Sequence, residues 1–217
     1  MSISDQRSAA AGGKAVILWL AIFFSVLLWS AVRPHDYFTW FMEVLPAIIA
    51  FVILAATYKR FRLSALASWL ILVHAVILMI GGHYTYAEVP LFDWVRDVFH
   101  QGRNNYDKVG HFAQGFVPAI IARELLLRKT PLRPGAWLSF ITVSICLAIS
   151  ALYELFEWAV AEATGDAAEA FLGTQGYQWD TQSDMAFALL GAIMAVVLLG
   201  RYHDAQVSRI DHGRGVR

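Results

Sequence analysis

Ala15 to Val32 runs for 18 residues without a charge. Similar stretches recur at Tyr37–Tyr58, Leu63–Gly82, Val109–Leu127, from Gly135 to about Ala161, and from near Asp184 to Leu199. Most approach the ~20 apolar residues that carry a helix across a hydrocarbon core. This recurrence constrains the fold more than any other feature. The composition agrees: 58% of the residues are hydrophobic and 16% charged, whereas soluble domains carry about 25% charged residues. The chain therefore reads as an all-α membrane protein, a bundle of about six transmembrane helices. The expected division is a cytoplasmic N-terminal tail over 1–14, a single transmembrane domain over 15–202 and a cytoplasmic C-terminal tail over 203–217. The first run is longer than the 7–15 residues of a signal-peptide core and reads as a retained helix. Cys146 is the single cysteine, so no intrachain disulfide and no cysteine metal cluster can form. Pro46 removes a backbone donor inside the second run and should kink it.

Two connections are long enough to hold structure of their own. Between residues 83 and 108, Leu91, Phe92, Trp94, Val95, Val98 and Phe99 oppose Asp93, Arg96, Asp97 and His100. With Pro90 at its start and Gly102 as its stop, this stretch reads as an amphipathic helix lying in the outer interface. Between 162 and 183, Asp166-Ala167-Ala168-Glu169 resembles a capping box and Gly173 a stop, so a short helix is expected there.

The basic residues give an orientation. With six spans, Arg7, Lys14, Lys59, Arg60, Arg62, Arg123, Arg128, Lys129, Arg133, Arg201, Arg209, Arg214 and Arg217 share one side, thirteen of the seventeen. Arg33, Arg96, Arg103 and Lys108 take the other. Both termini are therefore expected in the cytoplasm. The basic residues are spread over short turns, so nucleic acid is not an expected partner. The bilayer is.

This topology gathers distant acidic residues at the outer face. Asp107, His111 and Gln114 are spaced four and three apart, which puts them on one helix face. Glu154 and Glu157 are three apart, and Asp180 and Asp184 four apart, each pair at a helix end. His83 lies at the same level. Carboxylate and imidazole pairs on facing helices are a common way for bundles to hold metals. The expected ligand set is His83, His111, Glu154, Glu157, Asp180 and Asp184, for Mg²⁺, Mn²⁺, Fe²⁺ or Zn²⁺. His111, Asp107 and Glu157 are the candidate catalytic groups, and a metal there could bind a lipid phosphate or headgroup, or activate water. Structural alternatives stand beside this reading. Asp107 and Asp180 also suit helix N-caps, Glu154 or Glu157 could face water, His111 could be an interior hydrogen-bonded histidine, and lone His74 reads as packing. Glu43 and Arg33 could pair near the outer surface. No phosphate-binding glycine loop, nucleophile elbow or zinc-protease motif is present.

Gly81-Gly82-His83-Tyr84-Thr85-Tyr86, Tyr106-Asp107-Lys108-Val109-Gly110-His111-Phe112, Tyr153-Glu154-Leu155-Phe156-Glu157-Trp158 and Gly176-Tyr177-Gln178-Trp179-Asp180-Thr181-Gln182-Ser183-Asp184-Met185 together resemble the YjdF-type bacterial inner-membrane proteins. The resemblance spans the second to the sixth run and implies a polytopic inner-membrane location, with no assigned biochemistry. Asp107, Lys108, His111 and Phe112, with Asp184 and Gly191, are also similar to VanZ-like membrane proteins. The Asn often found between the last two is Ala188 here, and no resistance function is carried over. Two functions follow from the residues. One is an envelope enzyme or lipid-binding protein whose outer cluster holds a metal. The other is a non-enzymatic transporter or scaffold whose cluster is a proton or ion site, or a structural network.

Overall fold

The computed structural model describes residues 3–165 and 169–214, with side chains over 13–165 and 171–210. Eight helices and no strand occur among the described residues: α1 (Ile3–Ala31), α2 (Tyr37–Thr57), α3 (Ala65–Tyr84), α4 (Pro90–Val98), α5 (Tyr106–Lys129), α6 (Ala136–Thr164), α7 (Glu169–Leu172) and α8 (Asp180–Arg214). α1, α2, α3, α6 and α8 are each long and apolar enough to cross a membrane.

α5 is the sixth long helix, and its own residues explain why it is less apolar. At 24 residues it is about 36 Å long, which exceeds a hydrocarbon core of about 30 Å. It carries Asp107, Lys108, His111, Gln114, Arg123 and Glu124 because it faces protein instead of lipid. Twelve of its residues are buried, against four in α2 and five in α6. It packs against α3, α6 and most extensively α8. α5 and α8 run side by side in the same direction. Asp107 and Lys108 meet Asp180 and Asp184 at one end, and Glu124 meets His203 at the other. α3 runs opposite to both: the Tyr106 hydroxyl donates to the Ile77 carbonyl at 3.0 Å, while Ser64 N–H donates to Glu124 at 2.9 Å.

Small residues make the α5–α8 contact possible. A Cβ on Gly115 would overlap the Ala188 carbonyl, and one on Gly191 the Phe112 carbonyl. Ala119, Ile120, Ala192 and Ala195, with Ala67 of α3 and Cys146 of α6, continue this seam as a fully buried apolar layer. Close backbone approach through small residues is how helices associate in lipid, where apolar burial alone gives no preference between neighbours. α1 is peripheral. It is held to α3 by Trp19 Nε1 donating to Ser68 O at 2.8 Å, and to α2 by stacking of Trp19 and Phe23 on Phe51.

The helix ends depart from the hydropathy pattern. α1 starts at Ile3 and α8 continues to Arg214, beyond the expected span limits at 15 and 202. α8 has 35 residues where an apolar core of about sixteen is visible in sequence. Its extra turns are held by specific partners: Asp180 by Lys108 at one end, His203 and Val207 by burial at the other. Asp36 caps α2, with its carboxylate accepting from Thr39 N–H at 2.7 Å. That bond holds the Asp36 carboxyl below its ordinary range.

α4 begins at Pro90 as expected and leaves Leu91, Trp94, Val98 and Phe99 exposed, the face an interfacial helix would offer to lipid. Its stop is not Gly102. His100 takes the left-handed conformation (φ +52°) just after the Phe99 cap. Buried Asn104 orders the rest of the connection, donating to Val89 O and Asp93 and exchanging two hydrogen bonds with Gln175. α7 ends at Gly173, whose φ of +59° suits glycine. The capping-box reading at 166–168 lies outside the described residues.

Candidate functional site

The polar residues at the α4 end form two adjoining arrangements. The first centres on Lys108. Its Nζ lies 2.7 Å from Asp184, 2.8 Å from Asp180 and 3.2 Å from Asp107. Arg103 adds a pair to Asp180 at 2.5 Å and another to Asp107. Asp107 also accepts from its neighbour's backbone, Lys108 N–H, at 2.8 Å. Three buried carboxylates are thus countered by two cations, so most of the cost of burying them is offset by pairing. Asp107, Asp180 and Asp184 have ligand atoms close enough to share an ion, but the Lys108 ammonium contacts all three. Asp107 and Asp180 therefore act neither as simple caps nor as free ligands; they join α5 to α8 through Lys108.

The second arrangement centres on His111, one turn further along α5. Gln114 Oε1 lies 3.0 Å from Nδ1. A carbonyl oxygen only accepts, so Nδ1 carries the proton and the Nε2 lone pair is free. Nε2 faces Asp184 Oδ2 at 3.6 Å, and Glu154 Oε1 of α6 lies 3.7 Å from Nδ1. Both separations are too long for direct hydrogen bonds. Glu154 Oε1 is buried and has no hydrogen-bond partner. One ligand atom from each of His111, Glu154 and Asp184 lies within 4.8 Å of the others. Two ligands of one ion with bonds of about 2.0–2.2 Å can be at most about 4.4 Å apart. With the proton on Nδ1 only Nε2 can ligate, and it faces Asp184; Glu154 lies on the Nδ1 side, so the trio could hold a small divalent cation only once Glu154 turns toward Nε2. Its protonated Nδ1 on Gln114 matches the outer hydrogen bond that fixes metal-binding histidines.

His111, Gln114 and Asp184 open onto an interior cavity of about 270 Å³. Its back wall is α3 and α5, its flanks α2 and α6, and its roof Phe171, Leu172 and Gly173. His74, Glu43, Tyr86, Tyr153 and Glu157 also line it. Tyr86 enters it through a tight turn in which Thr85 and Tyr86 both have left-handed backbone, φ +60° and +52°. The ring fits between Gly81 and Gly110, where a Cβ would collide with it, and it shares the cavity with Glu43. The Nε2 atom of His74 is buried without a partner.

The sequence-based set is thus brought together only in part. His111, Glu154 and Asp184 converge. Asp180 and Asp107 belong to the lysine-centred group. Glu157 lines the cavity but joins no three-ligand group among the described residues. His83 is not at the site: its Nδ1 bonds Ser30 O at 3.0 Å and its ring stacks on Trp29, so it serves the α1–α3 contact. Arg33 does not hold Glu43, which faces Tyr86 instead. His74 faces the cavity, not a packed core. Arg103 was legible only as an orientation charge, and Lys108 as that and as part of the motifs it shares with Asp107 and His111, with no role in the site. A second buried network, at the opposite end, had little sequence signal. Glu124 is fully buried and accepts from Ser64 N–H, Arg128 (2.5 Å) and His203 (3.1 Å), while Arg123 pairs with Asp204 at 2.6 Å.

A family model described as "Predicted membrane protein (DUF2238)" matches residues 15–205, which include every group named above. The chain belongs to the DUF2238 family. Among curated proteins, this DUF2238 chain is 50% identical over 184 residues to "Inner membrane protein YjdF" of Escherichia coli (strain K12), covering 85% of this chain and 88% of that one. No solved structure matches. These relationships make it a multi-pass inner-membrane protein, as the YjdF-type resemblance implied; they do not show the VanZ-like one.

Proposed function

We propose that this inner-membrane protein holds a divalent metal at His111, Glu154 and Asp184, and binds or acts on an envelope lipid there. The proposed orientation has both termini in the cytoplasm, which turns the site toward the periplasm; thirteen of seventeen basic residues favour it. The observation that carries the metal reading is Glu154 Oε1. It is buried, has no hydrogen-bond partner and faces the His111 ring across 3.7 Å. A buried carboxylate oxygen in that state is costly unless something occupies the gap. Histidine with two carboxylates suits Zn²⁺, Mn²⁺ or Fe²⁺. Such an ion would supply a Lewis acid or an activated water. This chain's own part would be to orient Nε2 through Gln114 and to exclude bulk water beneath the α7 roof.

The transporter reading has less support. The polar groups at the α4 end and the Glu124–His203 network lie about 18 Å apart along α5, from twelve to thirteen residues of helix. Between them lies the buried layer of Ala67, Ala119, Ile120, Cys146, Ala192 and Ala195, flanked on α6 by the buried hydroxyls of Thr142 and Ser150 and holding no acid or histidine to relay a proton. The structural-network reading does suit the lysine-centred group, which is paired throughout.

Elemental analysis of the detergent-purified chain tests the proposal. A stoichiometric divalent metal is expected in the wild type and is lost in His111→Ala and Glu154→Gln. A wild type that stays metal-free after incubation with Zn²⁺, Mn²⁺ and Fe²⁺ contradicts it.

A further inference from the structure

The flanks of the cavity do not close on each other. α2 packs on α3, α3 on α5, and α5 on α6, but no packed interface joins α6 back to α2. Among the described residues α7 bridges them, touching both. The ring of helices is thus open on one side, toward lipid, beneath a short roof. Ala47 and Ala50 of α2 and Ile149 and Tyr153 of α6 line the cavity on the two sides of this opening. Ile149 is 39% exposed.

The polar groups at this mouth have one sign. Glu43 lies on α2 and Glu157 on α6, and both line the cavity. Neither has a basic partner among the described residues. No lysine or arginine lines the cavity. Lys108, the nearest cation, is held by three aspartates. Two carboxyl groups that line one membrane cavity without a basic partner need a cation, a donor or a proton.

We propose that the opening between α2 and α6 admits an amine-bearing amphiphile from the bilayer, with its ammonium between Glu43 and Glu157. The hydrocarbon chain passes Ala47, Ala50 and Ile149 into the lipid. The size agrees. At about 270 Å³ the cavity is just below the ~300–1,000 Å³ of pockets that enclose a whole drug-sized ligand. It accommodates a headgroup and the first methylenes, with the remainder of the chain outside. Tyr86 Oη and His74 Nε2 supply further polar contacts on the back wall. The proposal rests on the lipid-binding part of the function proposed above and is independent of the metal.

The test uses the full chain in phosphatidylglycerol nanodiscs, photolabelled with a diazirine-bearing hexadecylamine. The matching alcohol and phosphate ester serve as competitors. Labelling is expected on the Ala47–Ala50 and Ile149–Tyr153 segments. Unlabelled hexadecylamine should compete at least about tenfold better than the alcohol or the phosphate, the factor that one charge-assisted hydrogen bond supplies. Ala50→Trp, which fills the opening, should abolish labelling while leaving metal content unchanged. The double variant Glu43→Gln/Glu157→Gln should remove the preference for the amine. Equal competition by all three amphiphiles, or labelling unaffected by Ala50→Trp, overturns the proposal. Should the double variant not fold, Ala50→Trp and the competition series still decide. A metal-free wild type that labels as expected would remove the metal reading and leave this one standing.

Discussion

At the scale of single residues, the site depends on which groups already have partners. Lys108 is committed to three aspartates, and its removal would leave those carboxylates buried with Arg103 alone. Lys108→Met is therefore expected to destabilise the protein by about 3–5 kcal/mol, the range for breaking a buried ion pair, as read by denaturation in mixed micelles. A variant as stable as wild type would show that these carboxylates are solvated. His111 depends on Gln114 for its tautomer. Gln114→Leu is expected to weaken metal binding by about 10–100-fold, the usual effect of losing an outer hydrogen bond, while the fold remains intact; metal titration followed by calorimetry reads it. Asp36 offers a pH test outside the membrane. Its carboxyl is held low by the Thr39 N–H bond, so its stabilisation is present above its unfolded pKa, near 3.8, and is lost as pH falls through the still lower folded value. Asp36→Ala should cost about 1 kcal/mol at neutral pH, and the gap from wild type should shrink below about pH 4.

At the scale of helices, α5 carries both the fold and the site. Its polar face at Asp107, His111 and Gln114 was legible from spacing alone, because residues three and four apart must share a face. Its partners on α6 and α8 followed from helix-end pairing, and two of them, Glu154 and Asp184, converge on His111. What spacing could not give was the distribution of charge between neighbours. Lys108 is adjacent to Asp107 in sequence, and only the position of α8 decides that it turns to Asp180 and Asp184. His83 was misplaced for a related reason. It lies at the end of α3 nearest the site, but its rotation about α3 points it at α1. That Glu43 and Tyr86 share the cavity was not legible, because Tyr86 reaches it through a left-handed turn at Thr85, which no periodicity reveals. The α5–α8 seam gives a further prediction. Gly115→Leu and Gly191→Leu each force a side chain into a backbone carbonyl. Each should destabilise by about 3 kcal/mol, the upper part of the usual overpacking range. Gly13, with nothing within 4 Å of a built Cβ, should accept Leu without loss. Equal thermal stability of all three variants in detergent would mean that α5 and α8 do not touch as described.

At the scale of the molecule, the protein is a bundle with two polar ends of different character. The opposite end is a closed knot of Glu124, Arg128, His203, Ser64 and Arg123 that ties three helices together. The α4 end combines a paired cluster with an open cavity and unpartnered atoms at Glu154 and His74. The apolar layer between them keeps the cavity from the cytoplasmic side in the proposed orientation. The basic-residue bias supplies that proposed orientation. The class of the fold was legible because apolar run length is a strong signal. The cavity was not, because it arises where α2 and α6 fail to meet. Access to Gln114, which lines the cavity, tests this most directly. In a Cys146→Ser background, Gln114→Cys is treated with a small membrane-impermeant thiol reagent in spheroplasts and in inverted vesicles. Modification from the periplasmic side alone is the expected result; modification only from the cytoplasmic side would contradict an outward-facing site.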